Sequence, residues 1–166
     1  MSLDITDEPR DRYRPNVGIV LFNREGQVWL GRRVGQRGPR NWQFPQGGVD
    51  PGEELVDAAR RELREETGVT SVSLLGRVDG WISYDFPPGM GGSKAARGFL
   101  GQSQAWFAFR FEGEDAEVNL EADEHVEFDR WRWAGIEEAL SVVAPFKREA
   151  YARVIAAFSH LAATSA

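Results

Sequence analysis

One segment restricts the fold more than any other: residues 47–69, GGVDPGEELVDAARRELREETGV. It contains a helix with both ends marked. Asp50 reads as the N-cap, Pro51 as the first helical residue, and Glu53 follows the cap at the spacing of a capping box. Gly68 closes the helix at the C′ position, where a left-handed backbone suits a residue without Cβ. Between these limits Val56, Ala59 and Leu63 recur at helical spacing, giving one apolar stripe that must be buried against another layer.

That layer is a sheet. NVGIVLF (16–22) and VWLGRR (28–33) are apolar, β-prone runs joined by Asn23-Arg24-Glu25-Gly26-Gln27, the pattern of a hairpin. Residues 34–50, rich in Gly, Pro and Gln, read as a loop feeding the helix. Further strands are expected within 72–84, over 102–111 with Ala105, Phe107, Phe109 and Phe111 on one face, and over 128–133. Helices are expected over 137–143 and 146–161, and Trp106, Phe107, Trp131 and Trp133 are expected in the core. Residues 86–101, with two Pro and five Gly, read as a long loop of the kind that carries function. Strands and helices mix without strict βαβ alternation, so the fold class is α+β, an α/β/α sandwich with a mixed sheet between helices. A chain of 166 residues suits one domain, here expected over 13–162, with a flexible tail at 1–12 and a short one at 163–166.

Composition removes several chemistries. With no Cys and two His, there is no disulfide framework, thiolate zinc site, iron–sulfur centre or cysteine nucleophile, and little for an imidazole-rich metal site. No G-x-G-x-x-G follows a strand and no Walker-type G-x4-G-K occurs, so dinucleotide and P-loop readings fail. No apolar run reaches membrane-spanning length and the first residues lack a signal-peptide core, so a cytoplasmic protein without a membrane partner is expected. The net charge of −6 argues against a surface that coats nucleic acid. Its distribution is uneven: residues 1–40 carry eight Arg against five acids, whereas 112–129 hold nine acids and no Lys or Arg. Val118, Leu120, Val126 and Phe128 interrupt that acidic run, a pattern that anchors the segment and can present one carboxylate at a site while the rest face water.

Glu62, Glu65 and Glu66 share one face of the helix, at i, i+3 and i+4. Three like charges there repel one another. Two readings relieve that repulsion: a salt-bridged exposed helix, supported by the Asp57–Arg61 and Arg61–Glu65 pairs, or a set of oxygen ligands for a hard divalent cation. The Gly47-Gly48 turn just before the helix lets backbone approach the carboxylates and offers a carbonyl to such a cation.

The same segment resembles the Nudix box, G-x5-E-x7-R-E-U-x-E-E-x-G-U with U aliphatic. Gly47, Glu53, Arg61, Glu62, Leu63, Glu65, Glu66, Gly68 and Val69 fill every specified position. The resemblance implies a hydrolase that cleaves a nucleoside diphosphate linked to another group by attack of metal-activated water. It also implies Mg²⁺ or Mn²⁺ as cofactor, two or three ions with substrate bound, held by Gly47, Glu62, Glu65 and Glu66, with Glu53 pairing structurally to Arg61. Divalent ions suit an anionic polyphosphate, which an acidic site would otherwise repel.

Outside the box, YRPNVGIVLFN (13–23), WQFPQGG (42–48), WISYDFPP (81–88), GQSQAWFAFRF (101–111), EVNL (117–120), EFDRWRW (127–133) and FKREAY (146–151) are similar to the subgroup of bacterial RNA pyrophosphohydrolases and asymmetrical diadenosine tetraphosphate hydrolases. This similarity adds Glu127 as a further metal ligand or base, with Glu121 and Glu124 as alternatives. Arg14, Arg33 and Lys147 are implied as phosphate contacts, Tyr84 and Phe146 as platforms for a base. Ala105 stands where the subgroup often carries Lys, and the 87–101 loop offers only Lys94 and Arg97 as bases. The expected activity is therefore hydrolysis of 5′-triphosphorylated RNA ends and dinucleoside polyphosphates, with no obligate protein partner. A dedicated dinucleoside tetraphosphate hydrolase giving ATP and AMP is the second reading. A non-enzymatic Nudix-fold module that senses nucleotides or binds a protein is the third, and such a module would be expected to lack one of the metal carboxylates.

Overall fold

Alternation of apolar residues along the β-prone runs builds one nine-stranded mixed sheet in the computed structural model, which describes residues 5–36, 38–89 and 98–162. The strands are β1 (Ile5–Thr6), β2 (Tyr13–Phe22), β3 (Val28–Arg33), β4 (Trp42–Gln43), β5 (Gln46–Gly48), β6 (Val72–Arg77), β7 (Trp81–Asp85), β8 (Gly101–Phe111) and β9 (Phe128–Ala134). The helices are α1 (Leu55–Thr67), α2 (Ala139–Val142) and α3 (Arg148–Phe158). The main path runs β1-β7-β8-β2-β3-β4, with β5 pairing β2, β6 pairing β8 and β9 pairing β3.

Strand β8 is buried on both faces, and its period of two divides the molecule. Ala105, Phe107, Phe109 and Phe111 join Ala58, Ala59 and Leu63 of α1 in one core. Trp106 and Ala108 join Tyr151, Val154 and Phe158 of α3 in the other. A sheet flanked by α1 on one side and by α2 and α3 on the other is the expected α/β/α sandwich. Among the described residues, no helix is long and apolar enough to cross a membrane.

Several local expectations shift. The helix begins at Leu55 rather than Pro51, because Gly52 takes φ +76 and turns the chain out of a helical path. One half of the expected capping box survives in that turn, where Asp50 N–H donates to Glu53 Oε1 at 3.0 Å. The two C-terminal helices are shorter than their patterns, each entered through a 3₁₀ turn, at 136–138 and 145–147. Ile5 and Thr6, within the stretch expected to be a flexible tail, pair with Ile82 and Trp81 of β7. Trp106 and Phe107 are buried as expected, whereas Trp131 and Trp133 are only half-buried against the α1-side core. Lys94, Arg97 and the tail 163–166 lie outside the described residues.

Sheet register sets the site. The parallel pair β2–β8 places Arg14 beside Gln102 and Asn16 beside Gln104, while β5 brings Gly47 opposite Val17 and Gly48 opposite Asn16. The glycine turn, the start of β8 and the carboxylate face of α1 thus meet at one end of β2.

Candidate active site

Arg61 organises the α1 side of the site. Its guanidinium has five N–H donors, and the structure gives it five bonds. Nε donates to Glu53 Oε2 at 2.9 Å, Nη2 to Glu53 Oε1 and to the Gly48 carbonyl at 2.9 Å each, and Nη1 to Glu62 Oε1 at 2.8 Å and Glu65 Oε2 at 3.3 Å. The bidentate grip on Glu53 and the Asp50 N–H together hold the Glu53 carboxyl down at about 2. Glu53 is thereby a fixed anion that orients Arg61, and Arg61 ties α1 to the glycine turn.

Gly47 is required by close approach. A Cβ on it would lie 2.0 Å from Glu62 Cδ, so the absence of a side chain makes room for this carboxylate. Gly48 does the same for Arg14, whose Nη2 would sit 2.5 Å from an added Cβ.

Glu66 is 8% exposed and accepts the Gln46 N–H at 3.3 Å. Burial pushes its carboxyl well above the ordinary range, and the neighbouring negative charges of Glu127 and Glu62 push in the same direction. Burial likewise raises Glu62 to about 7 in spite of Arg61. Glu127 is half-buried and lies 3.3 Å from His125 Nε2, and its backbone carbonyl accepts Val34 N–H, pinning the acidic loop at this point. Glu121 and Glu124, the alternatives in that loop, are exposed, and neither is among the charges that act on Glu66.

Among the described residues, no three carboxylate or imidazole groups are gathered tightly enough to enclose a metal. The three-glutamate cluster suggested by helical spacing is opened because Arg61 engages Glu62 and Glu65 while Glu66 bonds to Gln46. The donor set still fits a hard divalent cation: oxygen ligands only, a glycine cradle beside Glu62, and a buried Glu66 that has no cation bonded to it among the described residues. Arg61 supplies the local positive charge in this arrangement.

The α3 side is built differently. Lys147 is 5% exposed, and its Nζ donates to Gln43 Oε1 at 3.0 Å and Gln46 Oε1 at 3.4 Å. Burial, reinforced by the positive charge of Arg33, lowers its ammonium to about 7. Gln46 Nε2 donates to Gln102 Oε1 at 3.3 Å, which also accepts the Tyr84 hydroxyl; Gln104 Nε2 donates to Asn16 Oδ1 at 2.8 Å and Gln46 Oε1 at 3.3 Å. The Tyr151 hydroxyl oxygen accepts Phe44 N–H at 2.9 Å, closing the floor.

Two expected base platforms separate. Tyr84 is 3% exposed, its ring packed against Phe86 and Phe146 and its hydroxyl committed to Gln102, so it presents no open ring face in this conformation. Phe146 is half-buried, with Lys147 Nζ 5.7 Å from its ring centroid. Arg14 and Arg33 are half-buried and act together on the Tyr84 hydroxyl electrostatically, which sets both on the α3 side of the site.

Sequence reading missed the amides. Gln43, Gln46, Gln102 and Gln104 form the polar floor, and their signal was available: Gln102 and Gln104 open an otherwise apolar strand, and a buried amide there needs partners.

The NUDIX domain family matches residues 12–158, and the chain belongs to this family. Curated relatives include the RNA pyrophosphohydrolase of Caulobacter vibrioides, 60% identical over 159 residues that cover 95% of this chain and 92% of the relative. That of Bartonella bacilliformis is 48% identical, covering 90% and 93%. Among solved structures, C. elegans Ap4A hydrolase aligns with TM-score 0.60 at 22% identity, over 87% of this chain and 98% of that one. The E. coli dihydroneopterin triphosphate pyrophosphohydrolase aligns with TM-score 0.66 at 17% identity, over 87% and 98%. At such identities the structural likeness concerns the fold. Proteins of this family generally use divalent metal ions.

Proposed function

We propose that this chain is a cytoplasmic pyrophosphohydrolase that removes phosphates from the 5′-triphosphate end of RNA and also cleaves dinucleoside polyphosphates, with Mg²⁺ or Mn²⁺ in two or three positions. The carrying observation is a site with one acidic and one basic wall, complete in every residue of the Nudix box, in a chain 60% identical to an RNA pyrophosphohydrolase.

Gly47, Glu62, Glu65, Glu66 and Glu127 would hold the cations, which supply charge neutralisation of the polyphosphate and acidification of water. The chain's own residues divide the remaining work. Lys147, Arg33 and Arg14 attract and orient the phosphates from the α3 side. Phe146 provides a ring on which a base stacks. Glu127, less buried than Glu66, accepts the proton of the attacking water at its carboxylate. Glu53 takes no part in proton transfer, because a carboxyl held at about 2 and locked on Arg61 is a poor base at neutral pH.

Hydrolysis in ¹⁸O-water tests the reading. Label should enter one product of triphosphorylated RNA, either the 5′-phosphate left on the RNA or the released pyrophosphate or phosphate, and mass spectrometry of the two identifies the phosphorus attacked. A large preference for diadenosine tetraphosphate over triphosphorylated RNA at equal Mg²⁺ would replace the RNA reading with the dedicated dinucleotide hydrolase.

A further inference from the structure

Away from the carboxylate face, α1 presents Asp57, Arg60, Arg61 and Arg64 to a cleft of about 210 Å³ completed by Val69, Thr70 and Val72. Arg61 is committed to the acids already described. Arg60 and Arg64, one helical turn apart, form no ion pair among the described residues, and neither does Arg77 on β6. Like most of the described arginines these three form no ion pair, and they are set apart by lying together on the α1 side of the sheet. Arg64 stands in the last turn of α1, where a cation also complements the helix dipole; Arg60 and Arg77 have no such role.

Aromatic rings hold two of them. The Arg60 guanidinium carbon lies 5.0 Å from the Phe109 centroid and that of Arg77 lies 5.2 Å from the Phe107 centroid. The two rings are themselves stacked, with centroids 6.4 Å apart. Arg77 pairs with Phe107 across β6 and β8, so both guanidinium groups rest on the α1-side face of the sheet. Stacking restricts each guanidinium while leaving in-plane N–H donors available to an anion. The donors are spaced along a strip rather than focused on one point. No exposed aromatic lines the cleft, so it offers charge without a platform for bases. Around the helix, the strip adjoins the catalytic face through Arg61 and Glu65.

We infer that Arg60, Arg64 and Arg77 form a track for the phosphodiester backbone of single-stranded RNA downstream of the 5′ end. The track holds the body of the substrate through charge alone and independently of sequence. This inference rests on the RNA reading above, and binding can be measured apart from hydrolysis.

Fluorescence anisotropy with a labelled single-stranded RNA bearing a 5′-hydroxyl, across about 50–200 mM salt, reads the track directly. Arg60→Ala combined with Arg64→Ala should weaken binding and reduce the slope of log K against log salt by about 1.4, since each phosphate contact on a single strand contributes about 0.7. The same variant should raise KM for long triphosphorylated RNA while leaving diadenosine tetraphosphate turnover unchanged. An unaltered slope and affinity overturn the track and leave these arginines to an acidic protein partner or to solvent. A uniform loss with both substrates, accompanied by a lower melting temperature, also overturns it, because the arginines would then serve α1 packing. Should the wild type bind the 5′-hydroxyl RNA with the expected slope yet release no phosphate from triphosphorylated RNA, the track stands and the functional reading falls.

Discussion

The two walls of the site solve opposite electrostatic problems in different ways. On the α1 wall, charges sit in direct contact: Arg61 spends every N–H on Glu53, Glu62, Glu65 and the Gly48 carbonyl. On the α3 wall the most buried cation, Lys147, is wrapped in neutral amides from Gln43 and Gln46, with Arg14 and Arg33 half-buried on the same side. Each wall keeps a buried charge without a bonded counter-ion among the described residues, Glu66 on the first and Lys147 on the second. Burial drives both towards neutrality, Glu66 upward and Lys147 down to about 7. Under the function proposed above, a cation would meet the first of these charges and a polyphosphate the second.

The sharpest way to break that contrast is Glu66→Gln. The amide keeps the shape and the Gln46 contact while removing the charge, so turnover should fall roughly a hundred- to a thousandfold, the order seen when one preorganised electrostatic group is lost. Thermal stability should hold or rise, because a buried charge has been removed. Hydrolysis near the original rate would sink the assignment of the acidic wall. Next in size is Gly47→Ala. The new methyl would occupy the space of the Glu62 carboxylate, so a melt should register a loss of about 1–3 kcal/mol from overpacking, and turnover should drop as Glu62 is displaced. Unchanged values for both would mean that the glycine turn has slack the contact distance denies.

The walls also differ in how far the amino-acid sequence discloses them. Glu53, Arg61, Glu62, Glu65 and Glu66 lie on one helix and its entry turn, so spacing alone puts them on neighbouring faces. The hairpin β2–β3 and the alternating face of β8 were legible for the same local reason. Gln43, Gln46, Gln102, Tyr84 and Lys147 come from β4, β5, β8, β7 and the 3₁₀ turn before α3, and only the parallel β2–β8 register and the β5 pairing bring them together. Periodicity carries no information about such long-range partners. Tyr84 illustrates the gap: the family resemblance suggested a base platform, but its ring fills the α3-side core. The start of α1 was misplaced by a smaller cause, the φ +76 at Gly52, which an Asp-Pro-Gly-Glu string does not distinguish from a helix opening.

Lys147→Met sharpens the contrast from the basic side. Loss of its charge should raise KM for triphosphorylated RNA by about tenfold, equivalent to about 1.4 kcal/mol, with a smaller change in kcat. Stability should move the other way. Lys147 titrates near 7 in the folded chain against 10.5 as an ordinary Lys, so between these values the unfolded chain binds more protons and stability rises with pH. Its cost is present below about 7 and relieved above 10.5. Denaturant melts of the Met variant should therefore gain stability at pH 6 to roughly 7 and lose this rising limb. A variant with the wild-type pH profile would show that Lys147 is solvated, contrary to its burial.

The smallest effect belongs to Tyr84→Phe. Its hydroxyl donates to Gln102, but Gln102 Oε1 keeps the Gln46 Nε2 bond at 3.3 Å, so the acceptor is not orphaned. The ring remains in place against Phe86 and Phe146. The expected cost is about 1 kcal/mol in stability, the net contribution of one neutral hydrogen bond, with KM shifted by about fivefold at most. A loss comparable with that of Glu66→Gln would mean that the hydroxyl reaches the substrate itself. The neutral wall would then act on the phosphates directly as well as supporting Lys147, and its difference from the ionic wall would narrow to the sign of the charge each one holds.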